Sequence, residues 1–204
     1  MIDGSDHWDR IFASTPSTEV SWYTREPAVS LRLVEGIASS RAAAVIDVGA
    51  GASLLVDRLV ADNFTDVTVL DLSEQALTQV EQRLGEGARH VTFVHHDVLS
   101  WHPARQYDVW HDRAVFHFLT DATSRDRYVE IAARAVGAGS GLVIGTFAED
   151  GPTRCSGLPV SRSSAEDLEE VFSRFFSLVE HEREEHVTPS GGVQSFTWAV
   201  FRRA

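Results

Sequence analysis

Two carboxylates and two glycines at the ends of neighbouring predicted strands are the residues most able to do chemistry in this chain. Asp47 lies in the apolar stretch Val45–Val48, and Gly49 and Gly51 follow it. Asp71 ends the next apolar stretch. Glycines allow a tight turn close to a ligand, and a following helix points its N–H groups at the same place. An acid at the end of the next strand can accept both ribose hydroxyls. The pattern predicts a site for an adenosine-containing cofactor.

The spacing of the glycines separates two classes of such cofactor. A dinucleotide site favours a third glycine, which allows close helix packing, but Leu54 stands at that position. Asp47 is also unfavourable beside a phosphate and suits a cation, such as the amino group or sulfonium of S-adenosylmethionine. A nicotinamide-dependent oxidoreductase, a non-catalytic nucleotide-binding module and a strand–turn–helix unit without ligand are the alternatives.

The D-x-G-x-G turn at residues 47–51, followed by Asp71, resembles the motif of class I S-adenosylmethionine-dependent methyltransferases. The resemblance implies S-adenosylhomocysteine as the product and cofactor contacts from Asp47, Gly49, Ala50, Gly51, Asp71 and Leu72. It also implies that Asp97, after the third strand, accepts a hydrogen bond from the adenine amino group and that the backbone of Val98 contacts the ring. The alternative for Asp97 is a solvated acid at a strand end.

An aromatic pair, Trp22 and Tyr23, lies in a predicted loop near the start of the chain. Aromatic rings attract a sulfonium through cation–π interaction, so we predict that this pair covers the cofactor. The alternative is that both rings only pack the core of the N-terminal segment.

Four polar side chains follow the fourth predicted strand, where the resembled fold presents the reacting end of the cofactor: His111, Asp112, Arg113 and His117. We predict that they form the catalytic group, with His117 as the candidate base and His111 also touching the cofactor. Asp112 and Arg113 either pair with each other or hold the methionine end. The alternative is a structural Asp112–Arg113 pair and a packed helix histidine at His117.

Predicted strands and helices alternate along residues 41–204, which indicates a parallel sheet covered by helices on both faces. The predicted strands are Val45–Val48, Val67–Leu70, Val91–His95, Tyr107–Trp110, Leu142–Phe147, a strand near Phe176–His186, and Val193–Phe201. Ser163 and Glu166 predict a capping box before the last helix. The predicted fold class is α/β and resembles the Rossmann-like methyltransferase fold. That fold has a seven-stranded sheet in the order 3-2-1-4-5-7-6, with strand 7 antiparallel. Residues 1–40 are expected to form an N-terminal helical cap on it.

Composition limits the class of protein and its partners. A chain of 204 residues with 43% hydrophobic residues fits a single domain, residues 1–204. A net charge of −12 disfavours nucleic acid and anionic membrane surfaces. The stretch after the fourth strand also lacks the motifs of DNA-base methylation. One cysteine, Cys155, and no apolar leader or membrane span predict a cytoplasmic location. We expect no metal, because the histidines lack ligand spacing, and no obligate protein partner.

The whole chain resembles a group of small bacterial methyltransferases, in His7–Trp8, Glu19–Tyr23, His111–Leu119 and the loop Gly145–Pro159. Members of this group resemble thiol S-methyltransferases of reduced dithiol natural products. Others resemble elongation-factor lysine methyltransferases. The resemblance implies methyl transfer by in-line displacement to a small-molecule nucleophile. A thiol is favoured because part of it is ionised near neutral pH, its pKa being about 8.5. Protein lysine methylation and O- or N-methylation of another metabolite stay open.

Overall fold

The computed structural model describes residues 4–204, in which a seven-stranded sheet carries helices on both faces. Its strands are β1 (Val45–Val48), β2 (Val67–Asp71), β3 (Val91–His95), β4 (Tyr107–Arg113), β5 (Val136–Phe147), β8 (Phe176–Val187) and β9 (Val193–Arg203), and a separate hairpin holds β6 (Arg154–Cys155) and β7 (Leu158–Pro159). The helices are α1 (Ser5–Ser14), α2 (Ala28–Ile37), α3 (Leu55–Ala61), α4 (Glu74–Leu84), α5 (Ala122–Ala135) and α6 (Ala165–Phe172). Two 3₁₀ turns lie at Gly85–His90 and Phe116–Phe118.

The strand order of the sheet is β3-β2-β1-β4-β5-β9-β8. The first five strands run parallel, whereas β9 is antiparallel to both β5 and β8. The predicted order, 3-2-1-4-5-7-6, did not include the short β6–β7 hairpin in the loop after β5. That hairpin shifts the numbers of the last two strands, and β9 takes the reversed place predicted for strand 7.

The central strands are buried on both faces because helices cover both sides of the sheet. Every residue of β1 and of β2 is buried, the carboxylates Asp47 and Asp71 included. One face packs Trp110 and Tyr128 in the larger core cluster, and the other packs Leu59 and Val80. The two carboxylates therefore lie in a rigid, apolar framework at the ends of their strands.

Several predicted strand boundaries and one cap differ from the structure. Strand β4 continues to Arg113 rather than ending at Trp110, so His111, Asp112 and Arg113 lie inside the strand. Strand β5 begins at Val136 rather than Leu142, because Val136 already pairs with Tyr107 before a register shift. The capping box before α6 is formed by Ser164 and Asp167, one residue later than predicted. Ser163, which was predicted to be the cap, lies one residue before it.

The N-terminal segment packs helix α1 against helix α4. The Ser73 hydroxyl donates to the Asp9 carboxylate at 2.6 Å, and Gln79 Nε2 donates to the Phe12 carbonyl at 2.7 Å. Phe12 is the buried residue of α1. Residues 1–3 of the predicted cap lie outside the described residues, and a covering role of the segment stays a prediction. Along residues 4–204, no helix is both long and apolar enough to cross a membrane.

Candidate active site

A cavity opens at the carboxyl ends of β1, β2 and β4, under the N-terminal segment. Counting its open mouth, it contains about 1150 Å³ of space. Its walls include most of the residues predicted for the site, namely Trp22, Tyr23, Asp47, Gly49, Ala50, Gly51, Asp71, Leu72, Asp97, Val98, His111 and Arg113. The fold therefore brings together side chains from four strand ends and from the N-terminal segment.

The turn after β1 needs glycine at two positions. Gly49 has φ +60° and Gly51 has φ +53°, in the left-handed region that L side chains rarely adopt. A Cβ atom at Gly49 would lie 1.9 Å from Val115 Cγ2, and one at Gly51 would lie 2.9 Å from the Phe12 ring. The turn is thus packed tightly between β4 and helix α1.

Asp71 anchors the turn from the end of β2. Its carboxylate accepts the N–H of Gly51 and the N–H of Ser73, each at 2.7 Å. Burial raises the pKa of Asp71 to about 6, although the two backbone donors oppose this rise. The carboxylate lines the cavity with its position fixed, as recognition of a ribose requires.

Asp47 and His111 form a buried pair on adjacent strands. They are register partners of β1 and β4, and His111 Nδ1 lies 2.7 Å from Asp47 Oδ1. Each side chain is 3% exposed. Asp47 Oδ2 and His111 Nε2 are buried without a hydrogen-bond partner among residues 4–204. Asp47 therefore orients the His111 imidazole. The other ring nitrogen, Nε2, has no partner among residues 4–204, and His111 lines the cavity.

Arg113 ends β4 on the same wall. Its Nη1 donates to the Trp22 carbonyl at 2.8 Å, and its guanidinium carbon lies 4.8 Å from the centre of the Phe196 ring. Nη2 is buried and has no partner in the described part of the chain. The predicted Asp112–Arg113 pair does not form. Burial lowers the pKa of Arg113, which still leaves the group a cation near neutral pH.

The remaining predicted contacts lie at two sides of the cavity. Asp97, after β3, accepts the N–H of Leu99 at 2.9 Å and lines the cavity beside Val98. Trp22 packs edge-on against Trp8 and Phe12, with ring centres 6.2 and 6.3 Å apart, and its ring faces the cavity.

Asp112 is fully buried and does not line the cavity. It accepts the hydroxyl of Tyr128 and the N–H groups of Val115, at 2.9 Å, and Phe116, at 3.1 Å. Burial raises the pKa of Asp112 to about 6. Its carboxylate holds the bend after β4 in place, so we do not retain it as a catalytic group.

His117 also lies outside the cavity wall, contrary to the role predicted for it. Its ring packs on Phe118 and Phe147, with ring centres 4.4 and 4.6 Å away. Neither ring nitrogen has a partner among the described residues. Burial, and then the charge of Arg113, lower the pKa of His117 to about 3. The His117 ring does not line the cavity, whereas His111 does, so we do not retain His117 as the base.

Several residues of the cavity wall were not predicted, namely Trp8, Phe12, Val115, Phe118 and Cys155. Burial raises the pKa of the Cys155 thiol to about 11. The four-residue spacing of Trp8 and Phe12 is typical of one helix face, but spacing alone does not show what that face packs against. The described residues contain no group of three or more His, Cys, Asp or Glu side chains placed to hold a metal ion.

Residues 45–136, a little under half of the chain, match the family model described as a methyltransferase domain. No curated protein matches the sequence at a significant level. The N-methyltransferase NodS from Bradyrhizobium japonicum, in complex with S-adenosylhomocysteine, has a TM-score of 0.74 and 18% identity, over 98% of this chain and 99% of that chain.

Two further solved structures are similar over most of the chain. One, reported as "Conversion of a Disulfide Bond into a Thioacetal Group during Echinomycin Biosynthesis", has a TM-score of 0.75 and 19% identity, over 98% of this chain and 92% of that one. The other is 1,6-didemethyltoxoflavin-N1-methyltransferase from Burkholderia thailandensis, with a TM-score of 0.70 and 21% identity, over 87% and 77% of the two chains. At these identities the likeness is one of fold.

Residues 45–136 thus match a methyltransferase domain, and the chain as a whole shares the fold of solved methyltransferases.

Proposed function

We propose that the chain is a class I methyltransferase that uses S-adenosylmethionine and leaves S-adenosylhomocysteine as the product. It transfers the methyl group to a small-molecule nucleophile, with a thiol as the preferred acceptor. The observation that carries the proposal is a recessed cavity in which the glycine turn and the Asp47–His111 pair share a space with aromatic side chains. A concave, mostly apolar site with few convergent polar groups is typical of small ligands.

The residues present fit the cofactor. Asp47 Oδ2 is a buried carboxylate oxygen without a partner among residues 4–204, and it suits the ammonium of a methionine moiety. Asp71 and Asp97 would hold the ribose and the adenine, and Trp22 would lie against the sulfonium. When bound, the cofactor supplies an electrophilic methyl group.

The proposed base is His111. In the neutral tautomer that donates its Nδ1 proton to Asp47, His111 Nε2 is an acceptor and can take a proton from the acceptor group. Asp47 is then a positioning residue, since it fixes the tautomer and the ring orientation. The rest of the site excludes water and aligns the acceptor, which is the main requirement of a displacement reaction.

The preference for sulfur follows from how readily each acceptor group loses its proton. A thiol with a pKa of about 8.5 needs little help at neutral pH, whereas a lysine ammonium must first lose a proton against a pKa of about 10.4. Two of the similar structures are described as N-methyltransferases, and a third is described by the conversion of a disulfide bond into a thioacetal group. An amine acceptor is therefore the main competing outcome of the test.

The test compares benzyl mercaptan, benzylamine and benzyl alcohol as acceptors, with S-adenosylhomocysteine formation as the readout. We expect turnover of the thiol to exceed that of the other two. Faster methylation of the amine would overturn the sulfur preference. Radiolabel from methyl-labelled cofactor entering proteins rather than these compounds would overturn the small-molecule assignment.

The base assignment is tested with His111→Ala. We expect kcat for the thiol to fall roughly tenfold to hundredfold at pH 7, since general bases contribute this much or more. At pH 9 the loss should shrink, because the thiol ionises without help. The control is His181→Ala, at an exposed site on β8. An equal loss at both pH values would contradict a role as base.

A further inference from the structure

Arg113 is a partly buried cation with a buried Nη2, and the described residues provide no counterion for it. The ion pairs formed among residues 4–204 do not include it. The acids that influence it, Glu184 and Asp47, already have other partners, Trp198 Nε1 at 2.8 Å and His111 at 2.7 Å. Buried charges in proteins are normally paired, because removing an ion from water costs several kcal/mol.

The guanidinium is nevertheless held in one orientation. The Trp22 carbonyl fixes Nη1, and the Phe196 ring supports the guanidinium plane. The unpartnered Nη2 remains on a residue that lines the cavity. A fixed donor with an unused N–H group is arranged for an oxygen anion, which a guanidinium binds better than a neutral group.

Arg113 lies in a different part of the sheet from the residues proposed to hold the adenosine of the cofactor. Asp71 and Asp97 follow β2 and β3, whereas Arg113 ends β4, on the other side of β1. Its neighbour in the wall is Cys155, in the loop after β5, and the Arg113 charge acts on that thiol. An anion bound at Arg113 therefore lies in the half of the cavity left for the acceptor.

We propose that Arg113 binds a carboxylate of the methyl acceptor, so that the acceptor is a small acidic molecule. This inference rests on the proposed function, and it makes the preferred acceptor a mercapto acid. The aromatic side chains Trp8, Trp22 and Phe118 in the same wall suit an acid with an apolar body.

The test uses 4-mercaptobenzoate and 4-mercaptobenzamide, which differ only in the charged group. We expect kcat/KM to favour the acid at least roughly tenfold, as a charge-assisted hydrogen bond in a buried site gives. In Arg113→Met, which keeps an apolar stem over Phe196, that preference should disappear. Equal rates for acid and amide in the unmodified enzyme would overturn the proposal without any variant.

The matched control is Arg125→Met. Arg125 also lies over an aromatic ring, Phe116, at 4.9 Å and also has a buried nitrogen without a partner among residues 4–204. It does not line the cavity. We expect the acid preference to survive in this variant, and its loss there would point to a general structural effect and overturn the assignment.

Two binding measurements separate this inference from the proposed function. Calorimetry with the S-methylated acid and amide, on enzyme saturated with S-adenosylhomocysteine, should show acid-selective binding that needs Arg113. If that selectivity appears while no thiol is methylated, the sulfur proposal fails and the Arg113 site stands. If neither compound binds, the Arg113 site fails. If Arg113→Met instead weakens the binding of S-adenosylhomocysteine itself tenfold, Arg113 binds the carboxylate of the cofactor. That result would overturn the inference.

Discussion

A buried histidine without a full set of hydrogen bonds is costly, and this enzyme keeps two in different surroundings. His111 has a carboxylate partner and a place in the cavity wall, so its unpartnered nitrogen can meet a ligand. His117 lies among aromatic rings with both nitrogens unpartnered in the described residues. We therefore expect His111 to take part in the proposed chemistry and His117 to lower the stability of the fold.

The buried and unpartnered imidazole of His117 predicts that the free energy of unfolding depends on pH. The pKa of His117 is about 3 in the folded enzyme against an ordinary value of 6.5, so the unfolded chain binds more protons between these pH values. Stability from this group is present above pH 6.5 and is lost as the pH falls. From pH 8 to pH 5 the loss is about 2 kcal/mol. We expect His117→Leu to remove that loss, as measured by urea unfolding at both pH values.

Asp71 and Asp112, whose pKa values are both raised to about 6, act in the opposite direction. Their contribution is present at low pH and declines as the pH rises from about 4 through 6. It is common to both proteins, so the difference between wild type and His117→Leu isolates the histidine. Activity of His117→Leu should stay within about threefold, since side chains away from the chemistry act only through stability. A large fall in kcat with intact cofactor affinity would restore His117 as a base.

At the scale of elements, the turn from β1 to α3 is the most constrained part of the site. Gly49→Ala would place a methyl group in the left-handed region and 1.9 Å from Val115 Cγ2. We expect a loss of about 2–4 kcal/mol in the free energy of unfolding, from strain and overpacking together. Binding of S-adenosylhomocysteine should weaken at least tenfold, because Val115 must move into the cavity.

Two further variants separate strain from the clash. Gly191 also has a positive φ, +86°, but a Cβ atom added there would meet no atom within 4 Å. For Gly191→Ala we therefore expect only the strain cost, about 1–2 kcal/mol. Gly49→Ala/Val115→Ala should recover part of the lost stability and affinity, because the atom that clashes is gone. Unfolding curves and calorimetry measure both effects. Equal losses for Gly49→Ala and Gly191→Ala would show that the clash relaxes freely.

Local sequence signals located most elements but not the contacts between them. Helix α4 begins at Glu74 because the preceding Ser73 caps it, and serine is a common capping residue. Strand β5 was predicted too short, because the glycines at 137, 139 and 141 are typical of a turn and their pairing is decided by neighbouring strands. The Asp47–His111 pair depends on the register of β1 against β4. The available signals were a polar residue inside the first predicted strand and another directly after the fourth, and these do not give the register.

For the whole molecule, the sheet order divides the cavity between two tasks. Residues at the ends of β1, β2 and β3 form the proposed cofactor half, and residues at the ends of β4 and β5 form the proposed acceptor half. The N-terminal segment contacts both halves, since the Phe12 ring lies against Gly51 and the Trp22 carbonyl accepts a hydrogen bond from Arg113. The two halves are therefore expected to respond together when a ligand binds.

The attachment of helix α1 predicts where that response is largest. Phe12 is the one side chain of α1 that is buried, so this helix should open locally at low free-energy cost. S-Adenosylhomocysteine at 100 times its Kd adds about 2.7 kcal/mol to the stability of the state that binds it. We therefore expect at least tenfold slower amide hydrogen exchange in residues 5–23, with the β8–β9 turn at residues 188–192 unchanged as the internal control. Phe12→Ala should abolish the effect in residues 5–14 and keep it around Asp71. Protection limited to the strand ends in the wild-type enzyme would contradict the predicted covering role of the N-terminal segment.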